Sequence, residues 1–236
     1  MTTRMGSVIA AVVALALLAA MCGAAPAGGA PPAGGAPPAD KDKDQVKLRI
    51  FVHYPGHGGK GNVSYCSLTQ DDQVNDYGLT GWQLPAAGFT YWINYGSAPA
   101  NLTDAQVYQA MSAASAAWSA AAPSATFYYG GATTARLGRR DGVNAVGWGR
   151  LGASVLAVAY SWYNAGVLVE GDIIFNLKYK WSLTDPAAGD CGGTLGYDIR
   201  NIATHEIGHW VGLEDLYGAA DQDLTMYGYS DLNELK

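Results

Sequence analysis

Basic residues, and charged residues in general, are scarce in this sequence of 236 residues. Only 14% of the residues are charged, and 14 Lys and Arg stand against 20 Asp and Glu, which gives a net charge of −6. A nucleic-acid interface needs clustered basic side chains to neutralise phosphates, so the composition argues against nucleic-acid binding. The hydrophobic share of 49% argues equally against an intrinsically disordered chain.

Long apolar runs are also missing. The uncharged apolar run 8–20 has 13 residues, fewer than the roughly 20 that cross a bilayer as a helix, so we expect no stable membrane anchor. Arg4 before the run and small residues after it indicate a signal peptide over residues 1–24 and a secreted protein. Lipidation at Cys22 is the alternative, although Met21 is unlike the small residue that usually precedes such a site.

The rest of the chain divides at a change in composition. Residues 23–39 contain only Gly, Ala and Pro, which predicts a tether or short pro-segment over 25–45 and a single domain over 46–236. Of only three cysteines, Cys66 and Cys191 remain after export. Their even number indicates one disulfide, with two separate buried thiols as the alternative.

Hydrophobic patterns predict an α+β domain with a mixed sheet and two main helices. Residues 101–122 have helical spacing with Thr103 as a plausible N-cap, and residues 198–211 form a second helix that ends at Gly212. Five runs rich in aromatic and β-branched residues predict strands at 89–95, 126–129, 143–148, 155–162 and 167–176.

The chemistry is concentrated in the second helix, where the sequence reads His205-Glu206-Ile207-Gly208-His209. Histidines four positions apart lie on the same face of a helix, so both imidazoles can reach one metal ion. Neutral imidazole is a preferred ligand of zinc. Glu206 follows the first histidine directly and is placed to accept a proton from water on the metal.

The following residues extend this motif to a third ligand. Gly212 can adopt the left-handed conformation that ends a helix and reverses the chain. Asp215 would then return beneath the two histidines as a ligand, and an open fourth position is typical of catalytic zinc. The alternatives for Asp215 are a solvated loop carboxylate or a partner for backbone groups at the helix end.

The sequence from His205 to Asp215, HEIGHWVGLED, resembles the extended zinc motif of the metzincin clan of metallopeptidases. Aspartate as the last ligand is similar to the snapalysin family, and Met226 matches the methionine of the clan's Met-turn. The resemblance is matrixin-like, covers roughly residues 89–230, and implies a zinc cleft below the edge of a twisted mixed sheet. Matrixin-like relatives continue into a C-terminal helix, so we expect either a truncated sequence or a minimal lower subdomain.

Four other residues are weaker site candidates. A hydroxyl from Tyr227 or Tyr229 could stabilise a transition state, although ordinary packing of both rings is favoured. His53 and His57 share the spacing of a helical pair, but Pro55 and Gly56 between them exclude a helix, so we expect histidines of a surface loop.

Calcium is a possible second ion, because carboxylates are its usual ligands. No EF-hand spacing supports it, so we expect solvated side chains at the candidate positions. These positions are Asp71, Asp72, Asp76, Asp221 and Asp223.

The function that these patterns predict is a secreted zinc endopeptidase acting on protein or peptide substrates. An extended substrate is expected to pair with strand 155–162 or 167–176. Two alternatives stay open. One is a secreted binding or surface protein with a structural zinc site, and the other is a gluzincin-like peptidase with Glu234 as the third ligand.

Overall fold

The computed structural model describes residues 45–56, 76–184 and 196–236. The expected signal peptide lies outside the described residues, as do Cys66, Cys191 and His57. The disulfide therefore stays a prediction. Neither helix among the described residues is long and apolar enough to cross a membrane.

The described residues form nine strands and two α-helices in an α+β arrangement, which confirms the predicted fold class at this level. The elements in chain order are β1 (Lys47–Pro55), β2 (Phe89–Ile93), α1 (Asp104–Ala121), β3 (Phe127–Ala132), β4 (Ala145–Gly149), β5 (Ala157–Asn164), β6 (Val167–Asn176), β7 (Trp181–Ser182), β8 (Tyr197–Asp198), α2 (Ile199–Val211) and β9 (Tyr229–Ser230).

Seven strands form one mixed sheet in the order β3-β2-β4-β6-β5-β1-β9. The four strands β3, β2, β4 and β6 are parallel to one another. Strand β5 is antiparallel to both β6 and β1. The short strand β9 runs parallel to the end of β1, and β7 pairs with β8 separately.

Capping interactions fix the ends of both helices. Thr103 caps α1 through a reciprocal capping box with Gln106, which satisfies two otherwise unpaired backbone N–H groups. Asp198 caps α2 by accepting a hydrogen bond from the Asn201 N–H at 2.8 Å. Gly212 ends α2 with φ +111°, in the left-handed region that favours glycine.

The two helices pack on each other, and α2 also contacts β5 and β6. The indole N–H of Trp118 on α1 donates to the Thr204 carbonyl of α2 at 2.7 Å. Trp210 on the other helix fits against Gly171, where an added Cβ would lie 2.3 Å from the indole nitrogen. These contacts pack the motif-bearing helix against α1 and against the sheet.

The sheet bears on the expectation that an extended substrate pairs with strand 155–162 or 167–176. Strands 155–162 and 167–176 correspond to β5 and β6, and both have neighbours on each side. Neither strand therefore has a free edge to pair with a substrate as the sheet stands. The neighbour on the outer side of β5 is β1, a strand that the sequence analysis did not predict.

Candidate metal centre

The helix α2 brings His205 and His209 together in the interior. Their Nε2 atoms are 3.2 Å apart, as the one-turn spacing predicts. Both rings are buried. Burial lowers the pKa of His205, because the charged imidazolium loses hydration. The neutral ring that results is the form that binds metal ions.

The backbone fixes the tautomer of each ring. The Nδ1 atom of His205 lies 2.9 Å from the Thr225 carbonyl oxygen, and that of His209 lies 2.8 Å from the Leu213 carbonyl oxygen. A carbonyl can only accept, so each Nδ1 carries the proton and donates it. Each Nε2 of a neutral ring then presents a lone pair, which is the arrangement found where histidines bind metals.

A third acceptor, Asp215, converges on the same point after the turn at Gly212. Its Oδ1 atom is 3.0 Å from His205 Nε2 and 3.4 Å from His209 Nε2. Although burial alone would raise the pKa of Asp215, the close approach of its carboxylate to the two histidines lowers that pKa below the ordinary value. Three lone-pair atoms within this distance repel one another unless a cation lies among them. We call His205, His209 and Asp215 the metal centre.

Glu206 lies beside the metal centre and is fully buried. Neither of its carboxylate oxygens has a hydrogen-bond partner among the described residues. Burial, followed by the negative charge of Asp215, raises the pKa of Glu206 well above its ordinary value. A carboxylate with a raised pKa is a stronger proton acceptor near neutral pH.

Met226 packs against α2 at Gly208, where the helix has no side chain in the way. A Cβ added to Gly208 would lie 2.3 Å from Met226 Sδ and 2.9 Å from the Trp118 ring. The buried methionine therefore packs directly against the helix backbone between the two histidines. The Met226 backbone carbonyl accepts a hydrogen bond from the Leu216 N–H at 2.8 Å, which ties this segment to the chain that follows Asp215.

Gly208→Ala is expected to destabilise the protein, although alanine in a helix interior is usually more stable than glycine by about 1 kcal/mol. The added methyl group must displace Met226 or Trp118, and overpacking of this kind typically costs about 1–3 kcal/mol. Urea denaturation of the wild type and variant measures the change. The double variant with Met226→Ala should lose less stability than the sum of the two single changes. Equal or higher stability in Gly208→Ala would contradict the close packing.

Strand β1 covers the metal centre. The Phe51 ring stacks on His209 with ring centroids 3.9 Å apart, and the His53 ring lies edge-on to His205 at the same distance. His53 is 1% exposed, so the expectation of a surface-loop histidine is wrong. It lies on a paired strand two residues before Pro55, and burial lowers its pKa well below the ordinary value.

The metal-ligating side chains of the described residues form two overlapping groups. One contains His205, His209 and Asp215, and the other contains His53, His205 and Glu206. Within each group the ligand atoms lie within 4.8 Å of one another. His53 is the member that sequence analysis missed. The aromatic and β-branched run Ile50-Phe51-Val52 beside it is a strand signal that could have revealed β1.

The tyrosine candidates Tyr227 and Tyr229 belong to an aromatic cluster. Tyr229 packs against Tyr54, Tyr217 and Tyr227 with ring centroids 5.5 to 5.7 Å apart. Burial and then the charge of Asp215 raise the pKa of Tyr217, whose side chain also hydrogen-bonds with Asp215. Tyr217, which the sequence analysis did not single out, therefore interacts with the metal centre through its side chain.

Glu234 and the described calcium candidates belong to neither described metal group. Glu234 forms a buried ion pair with Lys236 at 3.2 Å. Asp221 is buried and accepts a hydrogen bond from the Gly218 N–H at 2.7 Å, so the expectation of a solvated side chain is wrong there. Asp76 and Asp223 are exposed and belong to neither described metal group. Asp71 and Asp72 lie outside the described residues.

Comparison of the chain with models of known protein families and with curated proteins gave no match.

Proposed function

We propose that this protein is an exported zinc-dependent endopeptidase of the metzincin type. The observation that carries the proposal is the convergence of three unprotonated acceptors, two imidazole nitrogens and one carboxylate oxygen, at 3.0 to 3.4 Å from one another. The left-handed turn at Gly212 and the contact of Met226 with Gly208 support the resemblance to the metzincin motif.

Zinc fits these donors better than a hard cation does. Two nitrogen atoms and one oxygen are a typical zinc set, whereas Mg²⁺ and Ca²⁺ prefer oxygen ligands alone. Tetrahedral zinc with ligands at about 2.0–2.1 Å separates its ligand atoms by about 3.3 Å. The three observed separations lie within 0.3 Å of that value, so His205, His209 and Asp215 would hold the ion with little rearrangement.

A bound zinc ion would make its water acidic and polarise the carbonyl of a peptide bond. Glu206 is not one of the three converging ligands, and its carboxylate has no competing hydrogen bond among the described residues. Glu206 would accept a proton at one carboxylate oxygen and deliver it to the departing amine nitrogen. Its raised pKa suits both steps, since the residue must gain and then lose a proton near neutral pH.

A second candidate function is an exported binding protein in which zinc only braces the fold. The closure of the site favours it, because β1 buries both histidines and Glu206 completely or nearly so. A bracing site, however, has no use for a buried carboxyl group that lacks a hydrogen-bond partner among the described residues, because burying such a group costs free energy. We therefore prefer the enzyme.

Elemental analysis and a casein assay test this function together. We expect one zinc ion per chain when the protein is purified without chelator, and casein hydrolysis that 1,10-phenanthroline abolishes and added zinc restores. Because β1 covers the centre, the assay includes both the wild type and His53→Ala. Zinc content near zero in a folded chain contradicts both candidates. One zinc ion without hydrolysis in either protein favours the binding protein.

A further inference from the structure

The backbone around His53 is hydrogen-bonded on both sides of β1. On one side the Leu156 N–H donates to the His53 carbonyl oxygen at 2.8 Å, and on the other the Tyr54 N–H donates to the Gly228 carbonyl oxygen at 3.0 Å. The His53 side chain is 1% exposed. These bonds fix the place on β1 from which the ring enters the interior, so its two nitrogen atoms have fixed surroundings.

A chain of buried polar groups determines which nitrogen of the His53 ring carries the proton. Glu234 forms an ion pair with Lys236 at 3.2 Å, and its carboxylate also hydrogen-bonds with the Ser230 side chain. A carboxylate only accepts, so the Ser230 hydroxyl donates its one hydrogen to Glu234. His53 Nε2 lies 3.0 Å from the Ser230 hydroxyl oxygen, and it is therefore the donor in that contact. In the neutral ring, Nδ1 then carries a lone pair.

This lone pair faces a second unsatisfied group. Neither His53 Nδ1 nor the two carboxyl oxygens of Glu206 have a hydrogen-bond partner among the described residues. The separation of His53 Nδ1 and Glu206 Oε1 is 3.7 Å. The last torsion of a glutamate side chain has a broad minimum, so a small rotation can bring Oε1 within hydrogen-bond distance. Because Nδ1 can only accept, the bond forms when Oε1 carries a proton, and it relieves the cost of two unpaired buried groups.

We propose that His53 is a positioning residue for Glu206, and that its Nδ1 accepts a hydrogen bond from Glu206 Oε1 when that oxygen carries the proton. The consequence for the reaction rests on the proposed function, in which Glu206 takes a proton from water and passes it to the departing amine. His53 holds the protonated carboxyl group in one orientation between these two steps. The transferred proton stays on Oε1 until the amine takes it, and the ring keeps its own proton on Nε2.

The tautomers of the buried histidines distinguish this role from metal binding. His205 and His209 carry the proton on Nδ1, because that atom lies against a backbone carbonyl in each ring. His53 is expected to have the opposite tautomer, with the proton on Nε2. Nitrogen-15 NMR of the imidazole rings in the intact chain measures this, and comparison with His53→Gln identifies the signals of His53. A proton on Nδ1 of His53 would overturn the proposal, whether or not the protein is a peptidase.

Two substitutions at His53 separate the functions of its two nitrogen atoms. An asparagine amide reaches about as far as Nδ1 and can still accept a hydrogen bond from Glu206, whereas a glutamine amide reaches about as far as Nε2. We expect His53→Gln to lower kcat for casein hydrolysis by ~10–100-fold, the range typical for loss of an indirect partner. His53→Asn should retain a larger share of kcat. Zinc content and KM should stay near the wild-type values in both variants.

A double-mutant comparison tests whether His53 acts through Glu206. In the Glu206→Gln background, His53→Gln should lower kcat no further, because the group that His53 positions is already disabled. A general disturbance of the fold would instead lower kcat by the same factor in both backgrounds, and that result would contradict the proposal. Unchanged kcat in His53→Gln would also contradict it, while leaving the zinc peptidase intact.

Ser230→Ala tests the same chain of groups from its other end, and it replaces His53→Gln if that variant does not fold. Loss of the hydroxyl removes the contact that fixes the tautomer, so kcat should fall and the His53 signals should shift. Ser161→Ala is the matched control, because Ser161 is also fully buried and its hydroxyl has no hydrogen-bond partner among the described residues. Equal effects of the two serine variants would overturn the proposal. Absence of zinc and hydrolysis from the wild type contradicts the proposed function instead, and the tautomer measurement still decides the hydrogen bond.

Discussion

Glu206→Gln is expected to lower casein hydrolysis by about 10²–10⁴-fold, the range typical for loss of a positioned proton acceptor. The amide has the shape of the carboxyl group but cannot take up the proton. Zinc content should stay at one per chain, because Glu206 lies next to a ligand without being one of the three converging acceptors. Rates should be compared in the wild-type and His53→Ala backgrounds, since β1 covers the site.

The same substitution is expected to stabilise the fold. Glu206 is fully buried, and its oxygens have no hydrogen-bond partner among the described residues. Burial raises the pKa of Glu206, so the wild type loses stability as the pH rises and the carboxyl group ionises, whereas the neutral amide avoids this cost; the stability gain of the variant should therefore grow with pH. A gain in stability together with a loss of activity distinguishes a functional residue from one selected for packing.

Glu234→Gln is the matched control for this experiment. Glu234 is also a buried glutamate, but it is paired with Lys236. Replacing its carboxylate removes the buried ion pair with Lys236, so we expect lower stability and unchanged zinc content. Urea denaturation and elemental analysis of both variants provide the comparison. Hydrolysis by Glu206→Gln at the rate of its parent would contradict the assigned role.

The helix ends and the pairing of the two histidines could be predicted from the sequence, because each depends only on neighbouring residues. The N-cap at Thr103, the left-handed Gly212 and the one-turn spacing of His205 and His209 depend on residues a few positions apart. Such patterns determine helix ends and the shared face of two ligands whatever the rest of the chain does. The five predicted strands likewise correspond to β2–β6, with ends shifted by a few residues.

The order of strands in the sheet was not predictable in this way. The aromatic and β-branched content of 155–162 and 167–176 indicates strands but not which of them is an edge. That depends on β1, whose partner β5 is about a hundred residues away in sequence. The burial of His53 was not predictable for the same reason. Its neighbours Pro55 and Gly56 indicate a turn, whereas its burial results from the long-range pairing of β1 with β5.

Asp215→Ala is expected to release zinc under conditions in which Glu234→Ala retains it. Asp215 Oδ1 lies 3.0 and 3.4 Å from the two histidine Nε2 atoms, whereas Glu234 forms an ion pair with Lys236. Loss of a direct carboxylate ligand should weaken zinc binding by more than the ~10–100-fold typical of losing an indirect partner. Asp215→His restores a ligand common in this type of site and should keep zinc and some hydrolysis.

Thermal unfolding with and without zinc measures this difference independently of activity. A ligand present at about 1,000 times its dissociation constant stabilises the folded state by about 4 kcal/mol. We therefore expect zinc to raise the melting temperature of the wild type and Glu234→Ala, and to change that of Asp215→Ala little. Zinc retained in Asp215→Ala but lost in Glu234→Ala would instead indicate the gluzincin-like arrangement, since the third ligand would then be the later glutamate.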